Sequence, residues 1–579
     1  MSDLLQRAQA LELIDTADRQ LALHLGRLAS DTPPWLSLLI ALTSARVRQG
    51  HVCLDLERDP DLARLAPAID HRALARHPLL APQGPLVLAG RRLYLARYHA
   101  WEEQILQALR RRLAGPRPAV DEERLRADLT RLFPQDSPLD WQRVAATLAV
   151  LQPFLVISGG PGTGKTWTAA RILELLRRQP GGEGLRLALA APTGKAAARL
   201  ADAIAQAGGD TPQALTLHRL LGMRPGRVQP RHHAADPLPL DLLLVDELSM
   251  VDLPMMARLL AALPPQARLI LLGDHHQLAS VEAGQVMADL CGPGVGGYRP
   301  ALARRIQALS GDRLPLAEGD PPPMADHLVI LRRSRRFDDQ RGIGRLAAAV
   351  NRGDSEGALA ALAQGDDALA WHSADPRTVQ SLLQRHLLPL SRRLARTHDP
   401  RQALDTLGHL RLLCALREGP QGVNHLNALV ERALGVEGQR FYPGRPVMIT
   451  VNAPQLGLYN GDLGVILEQA DGTLRAWFPD PQEGARALAP SRLPRHETVH
   501  AMTIHKAQGS EFDRVILLLP DRDTPLVTRE LLYTGITRAR HQLHLCADQA
   551  RLRQAIGRRV ERASGLRDGL WAPRANPPP

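Results

Sequence analysis

The sequence predicts an α/β protein with two parallel-sheet domains, a small β-barrel inserted into the second, and a mainly helical N-terminal domain. Three observations predict it. Apolar strand-like runs alternate with helix-like segments over residues 116–330, and polar residues follow each run at once, as in an open sheet covered by helices. One of these runs, 154–157, passes through a glycine-rich loop into a helix-like stretch, 167–178. A second α/β region, 331–579, carries two strand-like runs joined by polar turns, 447–452 and 458–466, which mark the barrel at about 435–497.

Residues 1–115 form the N-terminal unit. Leucines at helical spacing among alternating charges make it mostly helical, and Gly115-Pro116-Arg117-Pro118 ends it. Two short apolar stretches, 50–56 and 86–95, the latter turning at Ala89-Gly90, supply a small ordered core, in which His51 and Cys53 read as packed side chains. No catalytic constellation is visible there, so the unit is the candidate partner-binding surface, and its deletion is expected to leave the chemistry elsewhere largely intact. The first twenty residues lack the apolar core of a secretory leader, and no run approaches a membrane span, so a cytoplasmic protein is expected. Cys53, Cys291, Cys414 and Cys546 lie far apart with no C-x-x-C pair, which argues against a zinc ribbon, an iron–sulfur site or a disulfide framework. A net charge of +12 over 579 residues points to a polyanionic partner such as nucleic acid.

The loop after 154–157 is Gly159-Gly160-Pro161-Gly162-Thr163-Gly164-Lys165-Thr166. It meets G-x-x-x-x-G-K-[ST] between a β-strand and a helix, the context in which backbone N–H groups and a helix N-terminus cradle phosphates. Lys165 is placed for the β- and γ-phosphates of ATP, and Thr166 for Mg²⁺. Only three of the 72 basic side chains are lysines, Lys165, Lys195 and Lys506. A lysine that survives such a bias is expected where a planar guanidinium cannot replace a compact ammonium.

The run 185–191 is followed by Pro192-Thr193-Gly194-Lys195 and then Thr216-Leu217-His218-Arg219. The run 242–245 leads into Asp246-Glu247, two carboxylates of which one can hold Mg²⁺ through water and the other can deprotonate an attacking water. The run 269–272 leads into Gly273-Asp274-His275-His276-Gln277, where Gln277 can report the γ-phosphate. Adjacent side chains seldom aim at one ion, so His275-His276 is not read as a metal pair. Residues 291–325, rich in glycine and proline, read as a long surface insertion. The second region holds Arg332-Arg333-Ser334-Arg335-Arg336-Phe337, then Thr503-Ile504-His505-Lys506-Ala507-Gln508-Gly509-Ser510-Glu511, then Tyr533-Thr534-Gly535-Ile536-Thr537-Arg538-Ala539. The Pro-rich tail, 571–579, is expected to be disordered.

In this order the motifs resemble those of superfamily 1 helicases over roughly residues 137–546. The segments 216–221 and 532–539 are similar to the 5′-to-3′ branch, and the N-terminal segments 50–56 and 91–98 to its RecD family, whose members are alpha subunits of RecBCD-type exodeoxyribonuclease V. The resemblance implies two RecA-like motor domains, an SH3-like inserted barrel, ATP and Mg²⁺ as cofactors, and single-stranded and duplex-end DNA as substrate. It also implies RecB and RecC as partners in a heterotrimer serving double-strand-break repair and homologous recombination. It makes Gln142 the adenine reader. The loop residues Gly159 to Thr166 hold phosphate and metal, Asp246 assists the metal, Glu247 is the base and Gln277 the γ-phosphate sensor. Arg336 and Arg538 become arginine fingers, Glu511 a contact to the nucleotide sugar, and Thr193, Lys195, Thr216, His218, Thr503 and His505 the residues that hold the single strand.

None of the three lysines has a glutamate two places before it, so the E-x-K pattern of many nucleases is absent and no cleavage by this chain is expected. Two other readings compete with the subunit of a helicase–nuclease. A stand-alone helicase of the RecD-like or Pif type would unwind without partners, and an ATP-switched regulatory subunit would bind nucleotide without a full hydrolytic set.

Overall fold

The computed structural model describes residues 2–29, 31–65, 69–133, 137–206, 214–224, 226–227, 229–334, 341–480 and 484–572. Three larger sheets and an N-terminal unit of helices around a small three-stranded antiparallel sheet make up the described residues. The first sheet is parallel and six-stranded, in the order Ala214–Thr216, Leu187–Ala191, Leu242–Val245, Arg268–Gly273, Phe154–Gly159, Leu328–Leu331. The β-strands have apolar residues on both faces, as a sheet covered on both sides requires. Phe154, Val156, Leu243, Val245, Leu269 and Leu271 point into one core. Leu155, Ile157, Leu242, Leu244, Ile270 and Leu272 point into the other. The two edge strands, 214–216 and 328–331, were not expected from the sequence.

The segment 291–325 is not a surface insertion. It contains the helix Pro300–Ser310, whose Leu302, Ile306 and Leu309 join Tyr298 in the second of these cores. Asp312 beyond it is fully buried and pairs with Arg143, Oδ1 to Nη2 at 2.7 Å and Oδ2 to Nε at 2.8 Å. Glycine and proline at its ends masked a helical 3-and-4 spacing in its middle.

The second parallel sheet runs Leu369–His372, Ala539–Cys546, Phe512–Leu518, Leu410–Cys414, Ala501–Thr503. A third, antiparallel sheet lies between Leu410–Cys414 and Ala501–Thr503 in the chain, in the order Gly484–Leu488, Leu474–Asp480, Leu463–Glu468, Pro446–Ile449, His496–Thr498. Val447, Ile449, Ile466, Ala476 and Phe478 form its inner face, while Val465 and Leu467 pack on Leu394 and Leu407 of the second domain. No ladder joins its first and last β-strands among the described residues.

In the N-terminal unit, helices Thr16–Gly26 and Pro34–Arg48 and the hairpin Leu86–Ala89/Arg92–Leu95 enclose a core of leucines. Asp15 caps the first of these helices and Gly90, at φ +58°, turns the hairpin. The helix Ala96–Ala114, however, buries Ile105, Leu106 and Leu109 in the core of the first parallel sheet. A cut at residue 115 would therefore strip that core rather than release a separate unit.

Trp571 is not part of a disordered tail; residues 573–579 lie outside the described residues. Leu566 and Leu570 of the helix Leu566–Trp571 are buried in the core of the first sheet, and Trp571 Nε1 donates to the Asp289 carbonyl at 3.1 Å.

Candidate functional site

Parallel registry collects the predicted residues at the carboxyl ends of the first sheet. Ala191 stands beside Thr216, Ala190 beside Val245, and Ser158 beside Gly273. The turns that begin at Pro192, Asp246 and Asp274 and the phosphate loop thus share one edge of the sheet.

The loop has little spare room. Gly164 lies in the left-handed region at φ +82°, and a Cβ there would stand 2.2 Å from Gln142 Nε2. Lys165 begins the helix Lys165–Arg178, and its Nζ donates to the carbonyls of Gly159 at 2.5 Å and Gly160 at 3.2 Å. Gln142 is buried; its Nε2 donates to the Thr163 carbonyl at 2.8 Å, while its Oε1 has no hydrogen-bond partner. A buried acceptor without a donor is costly unless a ligand supplies one.

Asp246 is buried and accepts from the Glu247 N–H at 2.8 Å. Burial, and next the adjoining Glu247 charge, push its carboxyl up to about 6. Glu247 stands at φ +54°, a left-handed conformation that costs a non-glycine residue about 1–3 kcal/mol. Among the described residues no group of three or more His, Cys, Asp or Glu side chains could hold a metal ion by itself, His275 and His276 included. His275 Nδ1 is instead 2.6 Å from Ser158 Oγ, and burial lowers the imidazole to about 4.

The second sheet domain closes over this edge. Tyr533 donates from its hydroxyl to Asp274 Oδ2 at 3.1 Å, the oxygen that also accepts from Gln277 Nε2 at 3.0 Å. The same hydroxyl lies 2.7 Å from where a Cβ on Gly160 would stand. The Leu278 N–H donates to Thr534 Oγ1 at 3.0 Å, and Gln508 Nε2 to the Leu278 carbonyl at 3.1 Å. Asp274, Tyr533, Thr534 and Gln508 were not singled out from the sequence, although all four lie inside quoted motifs.

Arg538 is buried and donates to two carbonyls of its own domain, Thr534 at 3.0 Å through Nε and Ser510 at 3.1 Å through Nη1. Arg336 lies outside the described residues. Glu511 is ion-paired with Arg540, Oε2 to Nε at 3.4 Å.

Lys195 Nζ donates to Ser510 Oγ at 2.8 Å and Arg199 Nη1 to the Gly509 carbonyl at 2.8 Å, both across the seam. Burial, then the Arg199 and Arg411 charges, lower the Lys195 ammonium to about 7. The Thr193 hydroxyl accepts from the Ala196 N–H at 3.3 Å, Thr216 caps the helix Leu217–Leu220, and Thr503 accepts from the Lys506 N–H at 3.3 Å. His218 and His505 are both lowered by burial. Thr193, Lys195 and the 509–510 turn meet; Thr503 and Lys506 line a separate cleft of about 250 Å³ with Arg417, Asn424 and Asn427.

Two parallel sheets meeting over a phosphate loop, with Asp246-Glu247 and Asp274–Gln277 at the seam, define a P-loop motor of the superfamily 1 helicase class. Family comparison agrees: residues 142–283 match an AAA domain, 498–546 a UvrD-like helicase C-terminal domain, and 10–94 the N-terminal domain of RecBCD enzyme subunit RecD. The chain is 42% identical over 586 residues to the RecBCD enzyme subunit RecD of Mycolicibacterium smegmatis, covering 96% of this chain and 98% of that protein. It is 35% identical to the RecD subunit of Haemophilus influenzae, with 91% and 92% covered. The ATP-dependent RecD2 DNA helicase of Deinococcus radiodurans is 30% identical over 421 residues, 70% of this chain and 49% of that protein. The chain belongs to the RecD family.

Proposed function

We propose that this chain is the ATP-driven, 5′-to-3′ translocating DNA helicase subunit of a RecBCD-type helicase–nuclease, working in the cytoplasm with RecB and RecC on DNA ends in recombinational repair. The observation that carries the reading is the seam: Tyr533 and Gln508 of one sheet domain are bonded to Asp274 and Leu278 of the other, beside the phosphate loop. Whatever fills that loop is felt by both domains. The lining suits ATP. The orphaned Gln142 Oε1 can accept from the adenine amino group, Lys165 can leave its loop carbonyls for phosphate, and no Cβ fits at Gly160 or Gly164. Thr166 and Asp246 offer the oxygen donors a hard divalent cation takes. Mg²⁺ held there would neutralise charge on the β- and γ-phosphate oxygens.

Glu247 orients and deprotonates the attacking water, Gln277 senses the γ-phosphate, and Arg336 and Arg538 supply positive charge as it is transferred, with Glu511 at the sugar. Cleavage removes the phosphate that drew the domains together, so the seam relaxes. Thr193, Lys195, Thr216 and His218 on one domain and Thr503 and His505 on the other hold the single strand, and their alternation moves it. Contacts of this kind are salt-sensitive and nearly blind to sequence. The third sheet, built of five short antiparallel β-strands, would be the SH3-like barrel. No helix among the described residues is long and apolar enough to cross a membrane. The higher identity to the RecD subunit of Mycolicibacterium smegmatis, 42% against 30% to the RecD2 helicase, favours the subunit over the stand-alone enzyme.

The test is ATP hydrolysis by the purified chain with and without single-stranded DNA, beside Lys165→Gln, then unwinding of duplexes with a 5′ or a 3′ tail. Strand-stimulated turnover lost in Lys165→Gln, with unwinding from the 5′ tail only, is expected. Turnover indifferent to DNA would instead favour a nucleotide switch, and a 3′ preference would refute the polarity.

A further inference from the structure

The loop between Pro446–Ile449 and Leu463–Glu468 of the third sheet is built to hold one aromatic side chain still. The Tyr459 N–H donates to Asp462 Oδ2 at 2.8 Å, and the Asp462 N–H returns to the Tyr459 carbonyl at 3.0 Å. Ala453 and Leu458 bridge the loop's base, the Asn460 N–H donates to Asn452 Oδ1 at 2.9 Å, and Gly461 makes the bend at φ +93°. The backbone of Tyr459 is thus fixed from both sides. Its ring is not: the phenol makes no hydrogen bond among the described residues, and the side chain is half-buried.

The ring touches the other domain. It rests on Gly194, where an added Cβ would lie 3.0–3.1 Å from Tyr459 Cγ, Cβ and Cδ2, so that the ring would have to shift by a few tenths of an ångström. Gly194 is flanked by Thr193 and Lys195, both proposed above to hold the single strand. Lys195 reaches Ser510 at 2.8 Å, and Asp462 of the tyrosine's own loop is close enough to favour the charged ammonium. An aromatic face, an ammonium and a threonine hydroxyl therefore lie together at the junction of the first domain, the second domain and the third sheet. Phosphate-binding groups beside a face on which a base can stack are the elements of a site for single-stranded nucleic acid without sequence preference.

We propose that Tyr459 is a strand-contact residue, its ring the stacking platform for a base of a single strand whose phosphates lie over Thr193 and Lys195. The inference rests on the helicase reading. It adds a contact from the third sheet, placed on a different body from Thr193 and Lys195, so that base and backbone of one nucleotide are held by parts that move relative to each other.

The test uses the full chain as wild type, Tyr459→Phe, Tyr459→Leu and Tyr459→Ala, with an oligothymidylate as probe. Loss of one base–aromatic stack should weaken binding by about 5- to 150-fold in the Leu and Ala variants, and raise equally the oligonucleotide concentration that half-stimulates ATP hydrolysis. Tyr459→Phe should match wild type, and hydrolysis without DNA should be unchanged in all, since Tyr459 touches no part of the nucleotide site. Leucine keeps apolar bulk on Gly194, so weakening in Leu but not Phe separates stacking from packing. A strand carrying 2-aminopurine should be quenched by wild type and Phe and less so by Leu. Leu and Ala variants that bind within about two-fold of wild type would overturn the inference while leaving the helicase standing. Wild-type hydrolysis that ignores DNA would overturn the helicase reading, and this inference with it.

Discussion

Replacing Asp289 with asparagine should remove a pH-dependent weakness from the C-terminal segment. Asp289 sits in the helix Val286–Cys291, is 2% exposed, and its Oδ2 has no hydrogen-bond partner. Facing it are Ser564, Glu102, Gln285 and Arg567. Burial first, with the Glu102 charge adding, pushes the Asp289 carboxyl from 3.8 up to about 7, and burial raises Glu102 as well. A carboxyl raised in the folded state binds more protons there than when exposed. Stability is therefore whole below about pH 4 and is lost as pH climbs to about 7, at about 1.4 kcal/mol per unit. From pH 5.5 to 8.5 about 1.5 units of that window are crossed, which is about 2 kcal/mol, or about 30-fold in the equilibrium for undocking residues 563–571. The Glu102 shift has the same sign and steepens the loss. The assay is amide hydrogen exchange in that segment, corrected for intrinsic rates, at both pH values. Wild-type protection should fall about 30-fold or more, while Asp289→Asn should lose markedly less and exceed wild type at pH 8.5. Wild-type protection independent of pH, or an asparagine variant less protected than wild type at pH 8.5, would refute the reasoning.

Arg538→Ala should lower thermal stability as well as abolish hydrolysis, because it leaves the Ser510 carbonyl without a buried donor, at about 1–3 kcal/mol, and the Thr534 carbonyl with the Thr537 hydroxyl in place of two side-chain donors; an unchanged melting temperature would identify a finger with no structural duty. Tyr533→Phe deletes a hydrogen bond to a buried carboxylate across the seam. If that bond matters only in the closed state, kcat should fall about 10-fold or more with KM for ATP within about two-fold, and an equal loss in both would refute this. Asp312→Ala should destabilise the first sheet domain by about 3–5 kcal/mol in denaturant unfolding, since it removes the counter-charge of the buried Arg143. A change under about 1 kcal/mol would return residues 291–325 to the status of a surface insertion.

The phosphate loop was legible because everything it needs is contiguous: a buried β-strand, glycines at fixed offsets, a lysine and a helix. The central β-strands were legible as apolar runs. Ala214–Thr216 was not, being three half-buried residues long, and Leu328–Leu331 was hidden behind the prolines 321–323. Pro300–Ser310 was lost for the same reason: the glycines and prolines at its ends outweighed Leu302, Ile306 and Leu309. The seam was illegible in principle. Tyr533 and Asp274 are 259 residues apart and Lys195 and Ser510 are 315 apart, and no local pattern tells which polar side chain of a motif turns towards its own domain and which turns across. Arg538 is the instructive case, since its motif suggests a charge aimed outward and its guanidinium is bonded at home.

His51 and Gly50 gain their meaning from the far end of the chain. After the helix Gln549–Gly557 the chain leaves the second sheet domain, where the Val560 N–H donates to Glu530 Oε2 at 2.9 Å. Arg562 then donates to the carbonyls of Glu282 at 2.9 Å and Gly284 at 2.7 Å, and lies where any side chain on Gly50 would stand. The Ala563 N–H donates to His51 Nδ1 at 3.0 Å, and its carbonyl accepts from Val52 at 2.9 Å. Three chain links separate Val560 from Ala563, a reach of no more than about 11 Å. The two sheet domains are thus joined near this point by a short tether, which limits how far they can separate here. Six Gly/Ser residues inserted after Glu561 would lengthen the reach by about 20 Å without touching the seam. Hydrolysis without DNA should stay within about two-fold, while base pairs unwound per ATP should fall, because a loosely joined pair of domains can close without displacing the strand. Unwinding per ATP equal to wild type would mean that the seam and the single strand alone align the domains.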